Sequence, residues 1–472
     1  MNDNHPPDPE GLCARLAALT LSVARQDIPD HAVEAARRLV QHAFGVAAAG
    51  SGLAVSAIAR EAVGDAPGPC LIFGSGASHA AQDAAFANGA TGHASLLEDS
   101  GPGGMAVGSH PATYIFPAAL AAAQQHGATG MDLLRAVCAA YETVDRLGMI
   151  MPAEVTQRGF RAVPVLGPFG AVAAAGVLSG LSAAQIASAY GIATNLAGGL
   201  NQGFVDGTME PYLHPAFAAR NGLLAVRLAQ AGCSASRFSL EGERGLFATF
   251  AGRAPNPVSL DLGARDLAVC RVGTKDFATC LYNQGTLALV ARRFPGGLAA
   301  ADIEKVTLWR PASGLHGLAA PGVAAAPPHG TALQLQMSAR FTTAAALLGR
   351  PVDSATWFAG ALNDTEVSEL ARKVELLAHE SAGIRIEISM RDGRRELADA
   401  GSETALSFSS ERTAAAFIAR ARPLLGGRTS QAVELLAGLP RLSGLEPLTS
   451  LFMLPQGASS LTNHRNQDRE TA

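Results

Sequence analysis

Charge is what this 472-residue chain has little of: Asp, Glu, Lys and Arg make up 16% of it, against about 25% in an ordinary globular domain. The formal net charge of −4 supplies no basic field for nucleic acid or an anionic membrane surface. Cysteine is sparse as well. Cys13, Cys70, Cys138, Cys233, Cys270 and Cys280 are scattered with no CxxC pair, so neither structural zinc nor an iron–sulfur cluster is expected. Cys138 sits in an apolar helical pattern and reads as a free buried thiol, which suits a reducing cytoplasm. The opening residues MNDNHPPDPE have neither a basic nor an apolar run, so no secretory signal is expected. Between Ala162 and Val205 there is no charged residue or histidine, yet a membrane span needs about 20 continuous apolar residues. Gly180-Leu181-Ser182 breaks the run, and Ser182 reads as the N-cap of a second helix. Two short buried helices in a soluble protein are the expectation.

Apolar residues reach 48%. The length allows two or three domains with a large core. Low charge and abundant alanine predict helices packed on most sides and a buried oligomer interface. The helical period runs from Gly11 to about Gly232. Between about Leu267 and Thr404 the texture becomes mixed. Val306–Leu308, Ile384–Met390 and Glu396–Leu397 read as strands, with Asp392-Gly393 turning a hairpin. Helices are expected between them at Leu281–Phe294, Ser338–Leu348 and Glu366–Val374. Helix then resumes from Ser410 to Ala437. The predicted fold is mainly α with an inserted α+β domain: residues 1–266 helical, 267–405 α+β, 406–460 helical, and 461–472 a disordered tail.

Polar chemistry concentrates between Asn88 and Asp145. His93, Glu98, Asp99 and His110 fall close together, interrupted by Gly101, Gly103, Gly104 and Gly108. Such a glycine-rich loop between helices is where functional groups are held on a rigid scaffold; a solvated acidic surface loop is the plainer alternative. His110 precedes Pro111, which favours an extended or turn conformation, and its imidazole titrates in the range useful for acid–base work. Further on, Tyr141 and Asp145 are i, i+4 neighbours on one helix face and are expected to pair.

This stretch resembles the MmgE/PrpD family, which includes 2-methylcitrate dehydratase and cis-aconitate decarboxylase. The resemblance extends through RGFRAVPVLGPFGAVAAAGVLSGLS (158–182), LHPAFAARNGLLAVRLAQAG (213–232), GTKDFATCLYNQGTLAL (273–289), SARFTTAAALLGRPV (338–352) and LNDTEVSELARKV (362–374). It implies a large all-helical domain built from both chain ends, a smaller α+β lid domain, a homodimer, and a substrate site in the cleft between domains. It also implies site residues. Glu98, Asp99 and Ser100 match the family's acidic loop, while Leu96 replaces its first acid. His110 matches the loop histidine, His214 matches the family's Leu-His segment, and Lys275, at the suggested lid–helix boundary, is retained. Arg161 stands where the family has a histidine, Pro211 where it has a lysine, and Phe341 where it often has a tyrosine.

The chemistry so implied is removal of a proton next to a carboxylate, without cofactor or metal, on a small carboxylated substrate. His110, Lys275, Asp99 and Tyr141 are the candidate catalytic groups. Arg161, Glu98, Ser100 and His214 are candidates for substrate binding, Arg161 as a bidentate carboxylate clamp. His93 and His214 could also simply hold backbone at helix ends. A dehydratase-like lyase is the leading expectation. A two-base epimerase or isomerase, and a non-catalytic or repurposed relative in a biosynthetic pathway, are the alternatives.

Overall fold

The structure, a computed structural model, describes residues 10–64, 66–101, 109–253, 260, 266–313, 317–380, 383–400 and 410–454. The expected disordered ends and the boundary set at 405–406 lie outside these residues. Mainly helical structure with a smaller α/β part is what the chain adopts.

Alanine costs little side-chain entropy in a helix, and the alanine-rich stretches form the long helices Asp30–Gly50, Ala112–His126, Gly130–Ile150, Ala162–Leu178 and Glu210–Gln230. Their small side chains let axes approach closely. A Cβ added at Gly222 would meet the Ala171 Cβ at 2.3 Å, so the contact between Ala162–Leu178 and Glu210–Gln230 requires glycine there. Ser182 opens helix Ala183–Ala193 through a capping box with Gln185, as its spacing predicts. No single helix among the described residues is long and apolar enough to cross a membrane. Helix Ser410–Leu425 returns to pack on Asp30–Gly50, and its Phe417, Ala421 and Leu425 join the buried cluster of the N-terminal helices.

Strands β1 (Pro67–Leu71) and β2 (Ser78–His79) form a small antiparallel ladder, as do β3 (Asp99–Ser100) and β4 (Gly273–Thr274). The main sheet runs β6 (Val374–His379), β5 (Ile303–Pro311), β7 (Arg385–Met390), β8 (Arg395–Asp399). β5 and β6 are parallel; the remaining pairs are antiparallel. Ile386 and Ile388 of β7 point into a second apolar cluster with Val306, Leu308 and Phe341, the alternation read from sequence. The β7–β8 turn uses Gly393 at φ +86°. β6 was not expected. Its sequence, Val-Glu-Leu-Leu-Ala-His, is made largely of helix formers and offers no alternation; the sheet edge beside β5 overrides that preference.

Candidate functional site

The two-residue β3–β4 ladder is the hinge of the site's construction. Asp99 faces Thr274 and Ser100 faces Gly273, and the Lys275 amide donates to the Glu98 carbonyl at 3.3 Å. That register places two side chains far apart in sequence against each other, and Lys275 Nζ donates to Glu98 Oε1. Both residues are 1% exposed. Burial alone would raise the Glu98 carboxyl, but the Lys275 ammonium and the neighbouring histidines hold it well below the usual carboxylate range. A buried carboxylate is costly unless paired in this way.

Two imidazoles flank that carboxylate. His93 Nδ1 lies 3.3 Å from Glu98 Oε2, out of line for a hydrogen bond, and His110 Nδ1 lies 3.5 Å from Oε1. His110 Nδ1 also lies 2.8 Å from the Asp99 carbonyl. A carbonyl can only accept, so Nδ1 carries the proton and Nε2 is left with a free lone pair. Burial, then the Lys275 charge, holds the His110 pKa well below its ordinary value. His110 is therefore a neutral imidazole with an available basic nitrogen.

His93 stands in the last turn of helix Ala81–Ala94, at a helix end as its sequence context allowed. Among the described residues its ring contacts side chains rather than backbone. Its Nε2 accepts from Arg161 Nη2 at 2.8 Å, and burial lowers its pKa to about 4. Arg161 Nη1 donates to the Pro211 carbonyl at 2.6 Å and lies 3.3 Å from His214 Nδ1. Its guanidinium sits 4.6 Å from the centre of the Phe204 ring. These contacts engage three of the five N–H groups a guanidinium carries, leaving Nε and one Nη2 hydrogen for a ligand among the described residues.

These groups meet at one cavity of about 920 Å³, lined among others by His93, Glu98, His110, Arg161 and Lys275. The rest of its described lining is mainly apolar, with Leu96, Met151, Phe204, Leu281 and Met337. Leu96 at φ +53° and His110 at φ +45° are the non-glycine residues with positive φ among those described, and both line this cavity. Strained backbone of this kind costs roughly 1–3 kcal/mol and persists where surroundings over-determine it, commonly at functional sites.

Four candidates from the sequence sit elsewhere. Tyr141 does not pair with Asp145: its hydroxyl donates to Asp99 Oδ2 at 2.7 Å, and Asp145 instead accepts from Arg271 at 2.6 Å. The other Asp99 oxygen accepts the Ala112 amide at 3.0 Å, holding the start of helix Ala112–His126, while burial raises its pKa to about 7. Neither Asp99 nor Tyr141 lines the cavity; both stand behind His110 and position it. Ser100 is buried in the β3–β4 ladder, and His214 braces Arg161. Glu98, read as a substrate ligand, has its carboxylate engaged by Lys275. Sequence reasoning also missed Arg420. From helix Ser410–Leu425 it donates to the Lys275 carbonyl at 3.0 Å and lies 3.2 Å from His42 Nδ1. No local motif marks it, since its partners are remote in sequence.

A helical scaffold presenting a buried His–Glu–Lys–Arg cluster to a large cavity agrees with the comparison to known families. Residues 14–258 match the MmgE/PrpD N-terminal domain, and the chain belongs to the MmgE/PrpD family. Among curated relatives it is 34% identical over 235 residues to the cis-aconitate decarboxylase-like protein oryM of Aspergillus oryzae, covering 48% of each chain. It is 30% identical over 248 residues to cis-aconitate decarboxylase of Aspergillus terreus, covering 50% of this chain and 49% of the relative. The chain thus spans about half the length of the curated relatives it matches.

Proposed function

We propose that the protein is a lyase that breaks a bond next to a carboxylate through a carbanionic intermediate, without a cofactor. The observation that carries this reading is His110: a neutral imidazole whose Nδ1 proton is fixed by the Asp99 carbonyl, with Nε2 left to act as base on the cavity side. Arg161 binds the substrate carboxylate through its remaining N–H groups. Nε2 takes the proton from the carbon beside it, and the electron pair moves into the carboxylate. Arg161 stabilises the charge that develops there. In the dehydratase form the β-hydroxyl then leaves as water with a proton from Lys275, and an alkene remains.

Decarboxylation is the second reading, favoured by the names of the fungal relatives. In it the bond to carbon dioxide breaks instead, its electron pair stays on the carbon, and that carbanion takes a proton from the Lys275 ammonium. Two-base epimerisation is weaker, because Asp99 and Tyr141 lie behind His110 and leave it the neutral base on the cavity among the described residues. The test is incubation with hydroxy acids and unsaturated acids in heavy water. A rising enoate absorbance indicates dehydration, released carbon dioxide indicates decarboxylation, and exchange of the α-proton alone indicates epimerisation. None of these with any acid would overturn the lyase reading.

A further inference from the structure

The geometry points to a substrate with one carboxylate at the reacting end and an extended apolar arm, rather than a compact tricarboxylate. This deepens the lyase reading of the same cavity and rests on it. Among the described lining residues the charged groups are Arg161, Lys275 and Glu98. Lys275 is already neutralised by Glu98, so one positive charge, that of Arg161, is left over. It matches one carboxylate. Further carboxylates would meet no second uncompensated cation there, only neutral polar groups such as Thr156, Gln157, Asn201 and Tyr282, and a buried ion without a counter-charge is disfavoured.

Size leads the same way. At ~30 Å³ per water, about 920 Å³ holds roughly thirty waters, the range of cavities that enclose drug-sized ligands. A small tricarboxylate would leave most of that volume to water against Leu96, Met151, Phe204 and Met337. Those walls favour an apolar occupant, and methionine adapts its shape to a flexible one.

Leu96 is the sharpest indication. The left-handed conformation it adopts, φ +53° just past helix Ala81–Ala94, is one that glycine, asparagine or aspartate takes with less strain. A leucine held there trades backbone ease for an apolar side chain, 3% exposed, in a cluster with Phe204, Cys280 and Met337.

The experiment is direct binding by calorimetry to the full chain, using unreactive probes: hexanoate, octanoate, decanoate and propane-1,2,3-tricarboxylate. The expected result is tightening of about fourfold per added methylene, the equivalent of ~0.8 kcal/mol per buried CH₂, with the tricarboxylate weakest. Leu96→Asp and, separately, Met337→Ala should each reduce the gain per methylene. Tightest binding of the tricarboxylate with no chain-length trend would overturn the proposal. Because binding needs no turnover, that outcome is distinct from failure of the lyase reading, in which the acids bind but nothing reacts.

Discussion

The cavity has two unlike walls, and they are held in place by different physics. The polar wall of His93, Glu98, His110, Arg161 and Lys275 is fixed by directed hydrogen bonds and ion pairs drawn from remote parts of the chain. The apolar wall of Leu96, Met151, Phe204 and Met337 is held chiefly by packing, with Phe204 also beneath the Arg161 guanidinium. Packing tolerates exchange of similar volumes, whereas a buried polar network loses heavily when one member is removed. Chemistry is therefore expected to be brittle in this molecule, and substrate choice adaptable.

Removing Lys275 should break that contrast most severely. Lys275→Met leaves the Glu98 carboxylate buried and unpaired, so stability should fall by about 3–5 kcal/mol in urea denaturation, with turnover lost. Adding Glu98→Gln should recover most of the stability but none of the turnover. Recovery of both would mean that Lys275 is only structural. His110→Asn keeps a side chain able to donate to the Asp99 carbonyl but removes the base. Its kcat should fall about 10²–10⁴-fold with little change in the urea midpoint; a fall below tenfold would remove His110 from the chemistry.

Acid should weaken the polar wall selectively. His42, His93, His110 and His214 all have pKa values held below the ordinary 6.5, by burial first. The unfolded chain takes up protons below about 6.5 that these folded imidazoles refuse. Their stabilisation is thus full above that pH and lost as pH falls toward the folded values, by up to ~1.4 kcal/mol per pH unit for each. Asp99 acts oppositely. Its folded value near 7 lies above its ordinary 3.8, so its contribution falls as pH rises through that window and offsets one of the four. Urea midpoints should therefore drop between pH 7 and pH 5, and a flat profile would show the imidazoles to be solvated. The smallest effect belongs to the apolar wall. Met337→Ala should change the KM of a short acid by less than about twofold, while raising that of a long-chain acid severalfold.

The same division decides what could be read from sequence. Helices with a regular apolar period and the Asp392-Gly393 hairpin were legible, because local pattern dictates both. β6 was not, because its pairing with β5 rather than its own composition makes it a strand. In the site, His110, Lys275 and Arg161 were reached through family resemblance. Tyr141 was assigned to Asp145 by helix-face proximity, whereas its hydroxyl reaches Asp99 across the fold. Asp99, Tyr141, Ser100 and His214 carry the right chemistry for a site, but only three-dimensional placement reveals that they stand one layer back.

Arg420 has a consequence for synthesis. It grips the Lys275 carbonyl from helix Ser410–Leu425, so the ribosome must release the chain through that helix before the ammonium gains its last tether. A nascent chain would already fold most of its helices while remaining inert.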